Sequence, residues 1–257
     1  MSRIGALVES LLALEPPLLV ALDVDGTISP IVRDPDSARI PVATLSNLEA
    51  LARGPGIELA LITGRALSSL AQMEQLEGIW RAVEHGGLVI APGRAPAPRA
   101  LTPERREALD LFQRWVETRA QDAFIEYKPQ AIAVHVRAIA SKDPARAAKL
   151  LGEADELAKN LGLHVRHGKG LREAEAVHHD KGSALEEIFK RSAASSVFFA
   201  GDDLTDFSAI EFAALHGVGA FVCSDEQGGA PPACAALLSS VDEMAQLLEQ
   251  LGDRING

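Results

Sequence analysis

Cysteine is almost missing from the chain: Cys223 and Cys234 are the only two among 257 residues. They lack metal-type spacing and have no histidine cluster beside them. They therefore offer neither a disulfide framework nor a thiolate metal site, and they suit a reducing compartment. Aromatic residues make up 4% of the chain, and there is no low-complexity tract or internal repeat. Long hydrophobic runs are absent too. The apolar stretch Ile4 to Leu14 is broken by Glu9 and followed by Glu15-Pro16-Pro17, which fits neither a signal peptide nor a membrane span. Positive charge is in deficit, with 25 Lys and Arg against 36 Asp and Glu and a net charge of −11. That balance argues against nucleic acid or an anionic membrane as a broad partner. It leaves room for an anionic small molecule, because one bound cation can invert the field of a single site. The expectation is a cytoplasmic monomer with no nucleic-acid and no membrane partner.

What the chain does have is alternation. LLVAL, from Leu18 to Leu22, reads as a buried strand. Pro41 to Arg53 then places Val42, Leu45, Leu48 and Leu51 at helical spacing. Glu58 to Ile62 is a second strand, followed by a helix through about Met73 and a strand region from Ala82 to Ile90. Val197 to Ala200 and Gly217 to Val222 read as further strands separated by helix. Strands spaced by helices predict an α/β fold, a doubly wound parallel sheet covered on both faces.

The texture changes after the Pro-rich connector Ala91 to Pro98. A helix is expected from Glu104 to about Arg119. A hairpin follows, pairing Ala123–Tyr127 with Ala131–Arg137 around Lys128-Pro129-Gln130. A second helix starts at the Asp143 cap and Pro144 and stops at Gly162. Leu163–Arg166 and Gly170–Ala176 close the set as strands. The expected organisation is a core of residues 1–98 and 177–257 carrying an inserted α+β domain of residues 99–176.

In an open parallel sheet, ligands bind beyond the carboxyl ends of the strands. Here those ends carry Asp23 and Asp25, Thr63 and Gly64, and Asp202 and Asp203, with Asp206 close behind. A single aspartate after a strand is commonly a turn or cap residue. Two acidic clusters far apart in sequence, each ending a buried apolar strand, are harder to explain that way. Carboxylates so close raise one another's pKa and resist ionisation, and a divalent cation relieves this. Magnesium prefers oxygen ligands and commonly takes one or two carboxylates, waters and a substrate phosphate. Lys181 points in the same direction. It follows Asp180, the expected cap of a helix, and the helix dipole opposes a cation in a first turn. An anion near Lys181 would account for it.

Asp23-Val24-Asp25-Gly26-Thr27, Thr63-Gly64-Arg65, Lys181-Gly182 and Gly201-Asp202-Asp203-Leu204-Thr205-Asp206 resemble, in order, the four motifs of the haloacid dehalogenase (HAD) phosphatases. The resemblance spans the whole core and implies a Rossmann-like sheet, Mg2+ as cofactor and an aspartyl-phosphate intermediate. It makes Asp23 the nucleophile and Asp25 the general acid and base. It gives the metal to the side chains of Asp23 and Asp202 with the Asp25 carbonyl, and the phosphate to Thr63, Gly64 and Lys181. Thr27, Asp203 and Asp206 would stand in the outer shell.

Within that superfamily the chain looks most like the trehalose-6-phosphate phosphatases, on its GDD-x-TD sequence, Glu84-His85-Gly86, and an insert at the family's cap position. That likeness implies sugar contacts from Glu126 and Lys128 in Glu126-Tyr127-Lys128 and from Glu173, with Arg65, Glu84, His85 and Gly86 also on the substrate side. Two departures stand out: Phe207 where the family usually has Glu, and Glu175-Ala176 where it usually has Arg-Pro. Rival readings are the same chemistry on another sugar phosphate (a glucosyl- or mannosyl-glycerate phosphate, or a hexose phosphate) and a non-catalytic phosphate-binding or receiver-like signalling module. Asp25 and the insert speak against the receiver. Trp80 and Trp115 read as packing anchors.

Overall fold

The hydrophobic run at Leu18–Leu22 becomes the strand β1, buried at every position. The structure is a computed structural model that describes residues 2–32, 34, 37–97, 100–128, 130–223, 231 and 233–257. The chain divides into two compact units, Met1–Ala97 with His179–Gly257, and Pro98–His178. The boundary expected between residues 98 and 99 falls outside the described residues.

In chain order the first unit opens with α1 (Arg3–Leu12), β1, α2 (Val42–Ala52), β2 (Ile57–Ile62), α3 (Leu67–Leu70), β3 (Trp80–Val83) and β4 (Leu88–Ile90). The second unit holds α4 (Pro103–Arg119), β5 (Phe124–Tyr127), β6 (Ala131–His135), α5 (Arg137–Ala140), α6 (Pro144–Asn160), β7 (His164–Gly168) and β8 (Leu171–Glu175). The first unit resumes with α7 (Lys181–Ser192), β9 (Ser196–Gly201), α8 (Phe207–His216), β10 (Gly217–Val222), β11 (Ala236–Leu238) and α9 (Val241–Asn256).

The sheet of the first unit runs β11-β10-β9-β1-β2-β3-β4. Neighbours are parallel except at one edge, where β4 returns antiparallel to β3. Alternate residues of β1 serve different layers. Leu18, Val20 and Leu22 pack in one cluster with side chains of α1, α2 and α9, while Leu19 and Ala21 pack in another with α7 and α8. Both faces are covered, so both need apolar side chains. Each buried leucine contributes roughly 1.5–3 kcal/mol.

Two expectations in this unit change. The strand region Ala82–Ile90 is a hairpin, because Glu84, His85 and Gly86 all take positive φ (55°, 56° and 97°) and reverse the chain. The helix expected to reach Met73 is the single turn α3. Beyond it the amides of Gln72 and Met73 bond three residues back, to Ser69 and Leu70, so the chain tightens into turns. Three elements were not anticipated: α1, the short edge strand β11, and α9. The signal for α9 was present in Ser240, whose side chain caps the helix through the Glu243 amide at 3.2 Å, and in the stripe Met244, Leu247, Leu248, Leu251.

The second unit is an antiparallel sheet in the order β5-β6-β8-β7. Ile132, Val134 and Ala174 on one face pack with Leu109, Phe112, Val116, Leu150 and Ala154 of α4 and α6. Asp143 caps α6 through the Arg146 amide at 2.9 Å, and Gly162 with φ +67° follows its end. The strand expected to run to Arg137 stops at His135. Val136 leaves the extended region (φ −108°, ψ 12°), bonds the Gly170 carbonyl, and starts α5. Pro129, which falls between β5 and β6 in sequence, lies outside the described residues. Among the described residues, no helix is long and apolar enough to cross a membrane.

Candidate active site

The parallel register that pairs Leu22 with Ala200 continues one step, as the Asp23 amide donates to the Ala200 carbonyl at 2.9 Å. This brings the two acidic strand ends together. On the other side of β1, the Thr63 amide bonds the Ala82 carbonyl at 2.8 Å and seats Thr63 at the end of β2. Asp23, Thr63, Lys181, Asp202 and Asp206 are all buried.

Lys181 is the first residue of α7. Asp180 caps that helix by accepting from the Ser183 amide at 2.7 Å, and the Ser183 hydroxyl returns the bond by accepting from the Asp180 amide. The lysine Nζ donates to Asp23 Oδ1 at 2.6 Å and to Asp206 Oδ1 at 2.7 Å. The anion that Lys181 called for is therefore a pair of aspartates. The second oxygen of Asp23 lies 3.2 Å from the Thr27 hydroxyl. The second oxygen of Asp206 accepts from the amides of Asp202 and Asp203, both at 3.1 Å. Asp203 folds back on its own loop, taking the Thr205 amide at 2.7 Å and hydroxyl at 2.6 Å.

Oxygens of Asp23, Asp202 and Asp206 lie within 4.8 Å of one another, around one lysine. Burial, more than any neighbour, pushes the Asp23 carboxyl up, and Lys181 only partly opposes it. Burial and then the charges of Asp23 and Asp203 push Asp202 up to about 7. Burial and then Asp23 push Asp206 up to about 8. For Lys181, burial disfavours the charge, but the two aspartates outweigh it and hold the ammonium well above its usual range. One cation among three buried acids leaves negative charge unbalanced, and a further cation or protons must supply the difference.

The donor set fits a hard divalent cation. Asp23, Asp202 and Asp206 can each offer it an oxygen, although Lys181 already holds one oxygen of Asp23 and one of Asp206. Gly26 makes room: a Cβ there would come within 2.0 Å of Asp202 Oδ2, and its φ of +82° is one a side chain disfavours.

Asp23, Thr63, Lys181, Asp202 and Asp203 line a pocket of about 440 Å³ together with Asp25, Gly64, Arg65 and His85, and the exposed Ile31 and Val32 also line it. Arg65 grips Asp25 with two prongs, Nε to Oδ2 at 2.6 Å and Nη2 to Oδ1 at 2.7 Å. Its third nitrogen bonds the Ser69 hydroxyl at 2.9 Å, a support that sequence reading missed. Arg65, expected at the substrate, thus engages the carboxylate of Asp25. Of the tripeptide expected there, His85 lines the pocket, its ring set so closely over Gly64 that a Cβ on that glycine would meet it at 2.5 Å. Glu84 is exposed and does not line the pocket. Gly86 does not line the pocket either: it packs against α7, where a Cβ would lie 2.6 Å from the Asp180 carbonyl.

Within the second unit, Lys128 Nζ bonds Glu173 Oε1 at 2.6 Å and lies 4.0 Å from Glu126 Oε1. The three residues expected at the sugar are neighbours on one sheet. The departures from the expected pattern also find places. Phe207 meets Phe221 edge-on at 6.1 Å, and Glu175 pairs with Arg166 at 2.9 Å. Trp80 is buried, with its indole nitrogen 3.0 Å from Glu58.

A family model for trehalose-phosphatase matches residues 21–233, a span that contains every residue of this pocket. The chain belongs to the trehalose-phosphatase family. A trehalose-phosphate phosphatase of Mycobacterium tuberculosis is 30% identical over 267 residues, covering 97% of this chain and 64% of the relative. An uncharacterized glycosyl hydrolase of the same species is 31% identical over 245 residues, covering 90% of this chain and 18% of the relative. The chain thus spans less than two thirds of these relatives. Among solved structures, trehalose-6-phosphate phosphatase of Aspergillus fumigatus superposes with a TM-score of 0.76 at 22% identity, covering 99% of this chain and 98% of that one. That agreement establishes the fold that the trehalose-phosphatase family shares with this chain, and it is the α/β fold expected from the HAD motifs.

Proposed function

We propose that the chain is a phosphomonoester hydrolase that converts trehalose 6-phosphate to trehalose and phosphate. The observation that carries this reading is the buried Lys181 bridge between Asp23 and Asp206, at the mouth of which Thr63, Asp25 and Asp202 meet in one pocket. The family membership and the trehalose-phosphate phosphatase relatives support the choice of substrate.

In the first half-reaction the Asp23 carboxylate attacks phosphorus, and the bond from phosphorus to the sugar oxygen breaks as the new one forms. Lys181 holds the attacking carboxylate and Thr27 its other oxygen, so its direction is set before substrate arrives. Asp25 gives a proton to the departing sugar oxygen, which requires it to surrender one of its two bonds to Arg65. In the second half, Asp25 takes a proton from water as that water attacks the phosphorus, and Asp23 is restored as phosphate leaves. Thr63, the Gly64 amide and Lys181 face the oxygens whose charge develops in transfer. Mg2+ held by Asp23, Asp202 and the Asp25 carbonyl would offset the acidic charge and polarise the phosphate oxygens.

We assign the unit Pro98–His178 the role of a cap domain, with Glu126, Lys128 and Glu173 as its sugar contacts. The proposed setting is a cytoplasmic monomer; the sparse cysteines support the reducing compartment. The decisive assay is phosphate release from trehalose 6-phosphate with and without Mg2+. Wild type should release phosphate and Asp23→Asn should not. An Asp23→Asn protein that turns over at the wild-type rate would remove the mechanism.

A further inference from the structure

The turn between β3 and β4 carries three left-handed residues in succession, Glu84, His85 and Gly86. Glycine takes that conformation freely, but for glutamate and histidine it is strained. The hairpin does not require it. Val83 pairs with Leu88, and a loop of that length is most often built on an ordinary type I turn.

The turn is tied instead to the phosphate side of the pocket. The Glu84 amide donates to the Arg65 carbonyl at 2.9 Å, and the His85 amide to the Thr63 carbonyl at 3.0 Å. Thr63 and Gly64 share one planar trans peptide, so the Thr63 carbonyl and the Gly64 N–H point opposite ways, and fixing one aims the other. The imidazole of His85 covers the same glycine. A Cβ on Gly64 would lie 2.5 Å from Cε1, 2.6 Å from Nε2 and 3.1 Å from Nδ1 of the ring. Gly64 is not left-handed, so its φ does not demand glycine. The ring does. Gly86, at the other end of the turn, would set a Cβ 2.6 Å from the Asp180 carbonyl and 2.9 Å from the Ala184 Cβ. One strained turn therefore touches both the Thr63–Gly64 peptide and the helix that begins at Lys181.

We propose that His85 is a positioning residue for phosphoryl transfer, its amide and ring together aiming the Gly64 N–H at the oxygens of the transferring phosphate. The inference rests on the phosphatase reading and moves His85 within it, from contact with the sugar to support of the phosphate site. A preorganised donor at such a site is worth about 10²–10³ in kcat, and one that is only loosened forfeits part of this.

The test is steady-state hydrolysis of trehalose 6-phosphate and p-nitrophenyl phosphate with Mg2+, alongside urea denaturation. The proteins are wild type, His85→Asn, Gly64→Ala and the Gly64→Ala/His85→Asn double variant. Asparagine tolerates a left-handed φ and ends where the first ring atoms stood, so the turn is kept and only the far edge of the ring is lost. His85→Asn should resist urea at least as well as wild type, yet lose roughly tenfold in kcat on both substrates with KM little changed. Gly64→Ala should lose at least about a hundredfold, because its methyl meets the ring. The double variant should regain much of that loss, a non-additivity expected of groups in contact. A loss on trehalose 6-phosphate with unchanged p-nitrophenyl phosphate kinetics would return His85 to the sugar and overturn the proposal. Wild-type kcat in His85→Asn on both substrates would make the ring merely structural, and a double variant no better than Gly64→Ala would remove the contact; either overturns it. A wild type that cleaves neither ester would end the phosphatase reading itself, and this inference with it.

Discussion

Replacing Lys181 with methionine removes the buried cation while keeping much of the side chain's shape and apolar stem. The lysine side chain is 5% exposed, and its partners Asp23 and Asp206 are 4% and 0% exposed. Breaking a buried ion pair by deleting one partner costs about 3–5 kcal/mol, because the other charge stays buried and unpaired. The remaining acids can escape that cost by taking up one more proton, and this makes the effect depend on pH. A carboxyl whose folded pKa is raised holds a proton that the unfolded chain, with a pKa near 3.9, has released. Stability then falls as pH rises between the two values, by about 1.4 kcal/mol per pH unit for each such group. From pH 5 to pH 8 one extra proton amounts to about 4 kcal/mol, within the range expected for the unpaired charge. Urea denaturation in EDTA at pH 5, 6.5 and 8, followed by circular dichroism, should therefore show Lys181→Met close to wild type at pH 5. At pH 8 it should be weaker by about 3–5 kcal/mol. A deficit that is the same at all three pH values, or below about 1 kcal/mol at pH 8, would refute the charge balance drawn here.

The same balance governs magnesium. Asp202 and Asp206 are raised to about 7 and about 8 without metal, so the metal-free protein loses stability as pH rises toward those values and a bound cation should restore it. The thermal shift produced by millimolar Mg2+ should accordingly grow from pH 6 to pH 8, and a flat or falling shift would contradict the assignment of the site. Gly26→Ala should weaken Mg2+ binding in titration calorimetry and destabilise the fold by about 1–3 kcal/mol, since the new Cβ requires both a left-handed φ and the space of the Asp202 carboxylate. Unaltered Mg2+ affinity would show that Asp202 can move aside freely. Glu74→Gln should lower stability by about 3 kcal/mol while leaving the rate per folded molecule unchanged, because Glu74 is buried and joins Arg81 at 2.6 Å to the Leu76 amide, away from the pocket. A loss of rate without loss of stability would be the contrary result.

Much of the core was legible because local chemistry dictated it. Apolar runs ending in Asp23, Thr63 and Asp202 could only be buried strands whose polar ends gather at one edge of a sheet. Asp180 and Asp143 announced their helices by capping. The elements that were misread obeyed less local rules. The strand through Ala82–Ile90 looked continuous because Glu84 and His85 are ordinary residues in sequence, and their left-handed conformation is imposed by the packing of Gly86 on α7 and of His85 on Gly64. The strand β11 was too short to show a period.

The sequence by itself determined which chemistry was available: the acids, the threonine and the lysine follow one another in motifs whose residue types already demand a cation and an anion. Tertiary structure alone decided how they are paired. Lys181 reaches Asp23 across 158 positions and shares itself with Asp206. Arg65 turns to Asp25, and Arg166 to Glu175. Charges attract without regard to sequence distance, and a buried ion takes whichever partner the fold carries within reach.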